Sequence, residues 1–142
     1  MVGMIIAAAW LASDAYIHRP AAPATPPPPS ADEGEVTVRD LFDSKTGDTV
    51  VTVAGVVVKI LADDNEGSRH QRFLIEVPGD VTVLVAHNID LAQRIPLDEG
   101  DAVTIRGEYE WTDKGGTIHW THHDPQGWHE DGWIEHNGRR YG

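Results

Sequence analysis

Five of the eight histidines in this 142-residue chain, His119, His122, His123, His129 and His136, crowd into its last 24 residues beside Trp120, Trp128 and Trp133. Imidazole ligates metals, relays protons and changes charge near neutral pH, so a dense group of it marks where chemistry would sit. Spacing then selects among the histidines. On a strand, residues two apart share a face at about 6.6 Å, whereas residues four apart are separated by about 13 Å. If the strand carrying this segment runs on to Asp124, His122 and Asp124 can clasp one ion. His119 and His123 then face the other way, too far apart to chelate together. His129, returning after the Pro125–Gly127 turn, and His87, at the end of an earlier strand, would complete a sulfur-free set suited to a divalent transition metal such as Zn2+, Mn2+ or Fe2+. Such an ion would activate water for attack on a phosphodiester or ester, with His119 or His123 as general base. The competing expectation is structural. Histidines that bond backbone carbonyls and pack beside Trp120, Trp128 and Trp133 would fasten an irregular tail onto the rest of the domain.

Binding without catalysis would draw on other residues. Arg69, His70, Gln71 and Arg72 make a compact polar run, with Arg72 and His70 placed to hold an anionic group. Trp128 and Trp133 lie outside any alternation and would floor a pocket, whereas Trp111 and Trp120 fall in phase with apolar strand faces. The run Asp63–Gly67 lacks the further acidic positions of a calcium loop and reads as an exposed acidic turn.

The elements that must position these groups are strands. Thr49–Leu61 is β-branched throughout and interrupted once by Gly55, as suits a long strand that bends where a side chain would obstruct and so serves two sheets. Phe73, Ile75 and Val77 alternate with polar neighbours over His70–Val77. Pro78-Gly79-Asp80 turns the chain, and Val81, Val83 and Val85 line one face of a third strand ending at His87. Asn88 or Asp90 caps a short helical turn that Pro96 stops. Ala102–Trp111 places Val103, Ile105, Gly107, Tyr109 and Trp111 on one side. Asp113–Gly116 then turns it into a last strand, Thr117–His122. Five strands, the first long and bent, with a helical connector between third and fourth, predict an all-β, five-stranded OB-like Greek-key barrel carrying a His/Trp-rich tail. An SH3-like barrel is the alternative topology. In an OB-fold the loop before Arg72 often meets ligands.

The domain is expected over 32–142. Before it, the uncharged run Val2–Ala12 is too short to cross a bilayer but suits a signal peptide or N-terminal anchor over 1–18. The Pro/Ala-rich stretch 19–31 reads as a semi-rigid linker. Export to the periplasm or beyond follows, with membrane contact only through residues 1–18. No cysteine is present, which excludes disulfides and thiolate zinc sites. A net charge of −12, with 23 acidic against 11 basic residues, argues against nucleic acid, whose binders gather Lys and Arg. The outward positions Arg72, Leu74, Glu76, Thr82, Leu84 and Ala86 hold no aromatic on which a base could stack.

The segments HQRF at 70–73, LVAHNIDLAQRIPL at 84–97, GEYEW at 107–111, GGTIHWTHHDP at 115–125 and HEDGWIEHNGRRY at 129–141 resemble the signature of a small bacterial exported family, a domain of unknown function, over about Val51 to Tyr141. The resemblance implies that the His/Trp tail belongs to the domain. Two functions from different classes are expected: a binding module for a glycan or protein of the cell envelope, and a metal-dependent hydrolase or nuclease built on His122, Asp124 and His129.

Overall fold

Capping chemistry sets the first element. In the computed structural model, which describes residues 36–142, Thr37 accepts a hydrogen bond from the Asp40 amide while Asp40 accepts one from the Thr37 amide. Satisfying these two amide donors reciprocally starts a short helix, α1 (Val38–Asp43), which the sequence reading did not expect. The expected leader, 1–18, and linker, 19–31, lie outside the described residues.

The β-branched and alternating runs then form β1 (Thr49–Ile60), β2 (His70–Val77), β3 (Val81–Asn88), β4 (Ala102–Glu110) and β5 (Thr117–His119). These close into the expected OB-like barrel, in the order β1-β2-β3-β5-β4 and back to β1. All pairings are antiparallel except β3 with β5. β1 does serve two neighbours: Thr49–Val56 pair with β4 and Val56–Ile60 with β2, with a bulge between Val57 and Lys59. The changeover falls beside Gly55, where a Cβ would come within 2.9 Å of the Glu76 carbonyl oxygen.

Inside the barrel lie Phe73, Ile75, Val83, Val85, Ile105, Tyr109 and Ile118, all fully buried. Burial of such side chains, each contributing roughly 1.5–3 kcal/mol, stabilises the fold. α1 adds Val38 and Leu41 to the same core. Phe42 stacks on Trp111 at 6.5 Å, and its carbonyl accepts the Trp111 indole N–H. The connector after β3 makes a single helical turn, closed by Ala92 N–H donating to the Asn88 carbonyl. Buried Gln71 clamps the connector by bonding both the amide and the carbonyl of Ile95.

The last residues differ from expectation. β5 stops at His119 because Trp120 turns into the left-handed region (φ 59°). After an irregular stretch, β6 (Trp133–His136) and β7 (Arg139–Tyr141) form a hairpin whose β6 pairs with β4. Asn137 and Gly138 both take positive φ at its tip, the conformation a two-residue hairpin turn demands. So 120–132 is the irregular part, and the rest of the tail extends the sheet. Gly132 permits the return, since a Cβ there would lie 2.0 Å from the Trp120 carbonyl oxygen. No helix among the described residues is long and apolar enough to cross a membrane.

Candidate functional site

Most of the expected ligands are spoken for. His87 continues the inward phase of β3 and is fully buried. Its Nε2 donates to the Gln93 carbonyl at 2.9 Å, which fixes the tautomer, and its Nδ1 accepts from the Thr121 hydroxyl at 2.7 Å. Burial pushes its pKa down to about 4, against the opposing pull of the Gln93 carbonyl. Both ring nitrogens are satisfied in the neutral form, so His87 has none left for an ion.

His122 is buried, donates from Nδ1 to the His123 carbonyl and lies against Trp120 at 5.1 Å. Asp124 accepts the amides of Gln126, Trp128 and His129 at 2.7–2.9 Å. Those backbone bonds, Gln126 first and then His129, hold its carboxyl below the ordinary range. Asp124 therefore organises the turn that follows it. His123 is exposed and pairs with Asp131 at 2.9 Å. No three of the expected set His122, Asp124, His129 and His87 bring donor atoms within 4.8 Å of one another. Truncating β5 removed the shared face on which it depended.

The expected ligand-binding residues fall on β2, on β6 and in the irregular stretch between β5 and β6. Arg72 donates to the Ala62 carbonyl and His70 engages the Ser68 carbonyl, each tied to the loop between β1 and β2. Trp133 is covered by the Arg140 guanidinium at 4.0 Å. Trp128 is 88% exposed.

The residues that do converge lie across β4 and β5. Glu108 faces His119 in register, and Glu110 sits two positions along on the same face. His119 Nε2 lies 4.0 Å from Glu108 Oε1 and 3.7 Å from Glu110 Oε1. It is covered from solvent and has no hydrogen-bond partner among the described residues, as is true of the Trp120 indole N–H. His129 reaches the other Glu108 oxygen through Nε2, donates from Nδ1 to the Glu130 carbonyl and packs on Trp120 at 4.4 Å. Burial pushes the His129 pKa down, but the Glu108 hydrogen bond, the Glu130 carbonyl and the nearby negative charges outweigh it and hold the pKa above the ordinary value. For Glu108, the His129 bond pulls downward. Desolvation and the crowding by Glu110 and Asp48 prevail, leaving Glu108 raised.

Glu108 and Glu110 were missed because they read as the solvated side of β4. One signal was available: a hairpin turned at Asp113–Gly116 sets which residues oppose each other, and it brings Glu108 to His119.

The family model described as "Protein of unknown function (DUF3465)" matches residues 24–142. The chain belongs to this family. The DUF3465 match begins well before Val51, where the sequence resemblance was expected to start, and it includes the whole His/Trp tail. No curated protein matches the chain.

Proposed function

We propose that this DUF3465 protein is an exported binding module of the cell envelope whose ligand is a protein. One observation carries the reading: aliphatic side chains left exposed on β1. Val56 and Val58 are 45% and 41% exposed. Val56 and Val58 open onto a cleft of about 760 Å3 that Ala54, Val77, Pro78 and Val103 also line. Exposed β-branched residues gathered at a concavity cost solubility, and that cost is tolerated where a partner covers them. Among the described residues the cleft lining has no aromatic ring, which disfavours a glycan or a nucleic base, since both are commonly held by stacking. Export is supported by the uncharged run Val2–Ala12.

A photo-cross-linking residue at Val58, introduced in cells of the source organism, should give a discrete protein adduct. The same residue at Lys114, in the turn between β4 and β5, should give none. Adding Val56→Glu should suppress the Val58 adduct, because a partner would have to bury the carboxylate. Equal labelling at both positions, or adducts to polysaccharide alone, would count against a protein ligand.

A further inference from the structure

We propose that Glu108, Glu110 and His119 form a binding site for one divalent transition-metal ion, Zn2+ above all, with His129 as a positioning residue. This stands apart from the cleft on β1 and does not depend on it. One donor atom from each of the three lies within 4.8 Å of the others. Those separations are too long for hydrogen bonds, yet close to what an ion needs. Ligands held about 2.0–2.2 Å from a tetrahedral Zn2+ stand roughly 3.3–3.6 Å apart. Closing the 3.7 and 4.0 Å gaps takes shifts of a few tenths of an ångström.

The remaining oxygens explain why this geometry is held. Glu108 Oε2 is engaged by the His129 ring, and Glu110 Oε2 accepts the Asp48 amide at 3.3 Å. Each carboxylate is thereby oriented by one oxygen while its Oε1 faces His119. An outer partner that fixes a ligand in this way is the usual companion of a metal site. A second, independent observation is the His119 Nε2, covered from solvent and bonded to no group among the described residues. Leaving a buried ring nitrogen unsatisfied is costly, and an ion between it and the two carboxylates would remove that cost. Two carboxylates balance a divalent charge, and the imidazole selects against Ca2+ and Mg2+, which prefer oxygen alone. Nε2 itself is covered, but the Glu110 and His119 side chains are 42% and 39% exposed, so a small side-chain movement admits the ion from solvent. Three protein ligands leave a fourth position for water.

The test uses the full chain without an affinity tag, titrated with Zn2+ by calorimetry and with Co2+ by its visible absorption. One ion per chain is expected. Glu110→Gln and His119→Ala should each weaken binding by more than about 100-fold, and His129→Gln by about 10–100-fold, as for an outer partner. His123→Ala, on an exposed histidine outside the cluster, should leave the affinity within about two-fold of the parent, since this exposed side chain supplies no ligand. Circular dichroism confirms that each variant is folded, and Glu110→Gln decides if His119→Ala is not. The proposal is overturned by an absence of saturable binding or by unchanged affinity in Glu110→Gln. It is equally overturned if His123→Ala loses as much affinity as His119→Ala, which would mark adventitious capture by surface histidines.

Discussion

His87 and His129 show how one residue type takes opposite roles in neighbouring environments. His87, buried and neutral with a pKa near 4, favours the fold above the unfolded value near 6.5. As pH falls below that value the unfolded chain takes up a proton that the folded chain refuses, so stability is lost on the way toward pH 4. Between pH 7.5 and pH 5 the loss amounts to roughly 2 kcal/mol. Denaturant melts at those two pH values should show it. His87→Gln, which can still donate to Gln93 and accept from Thr121, should remove this share of the pH dependence; an unchanged pH dependence in that variant would assign the effect to other groups. His129 works the other way. Its pKa is raised, so its contribution is complete below the unfolded value and disappears as pH rises through the folded one. In metal-free protein, His129→Gln should remove stability at pH 6 but little at pH 9. The abundance of histidine was legible in the sequence, but its division of labour was not. Whether an imidazole is satisfied depends on a carbonyl such as that of Gln93, delivered by a connector whose path no local pattern records.

Elements were legible where side-chain alternation was strong. β2 and β3 have clear periods of two and were expected nearly to the residue, and Gly55 correctly marked the bend in β1. α1 was missed because six residues carry too little periodicity to stand out, although its Thr37–Asp40 capping pair is visible afterwards. The β6–β7 hairpin was missed despite the Asn137-Gly138 signal. Strands of four and three residues, rich in His, Trp and Arg, do not display alternation. Ile134 on β6 is fully buried and packs into the barrel core. Ile134→Ala should therefore cost about 2–5 kcal/mol in a chemical-denaturation experiment. A loss below about 1 kcal/mol would show that β6 is only loosely held.

For the whole molecule, closure depends on partners distant in sequence. β1 pairs with β4 across more than forty residues, and β3 meets β5 in parallel. Such contacts must be reached by ordering long loops first, so refolding after dilution from denaturant should take about milliseconds to seconds. A microsecond phase carrying the full signal change would mean that local structure dominates. A chain that folds slowly exposes its strands to other chains meanwhile, which gives the way the sheet ends another meaning. β7 terminates it with three residues, two of them arginines: Arg139 is held to Gln93 and Arg140 to Glu135. A border so short and charged gives a neighbouring copy almost no backbone to extend, so the finished barrel should resist fibril growth even when concentrated.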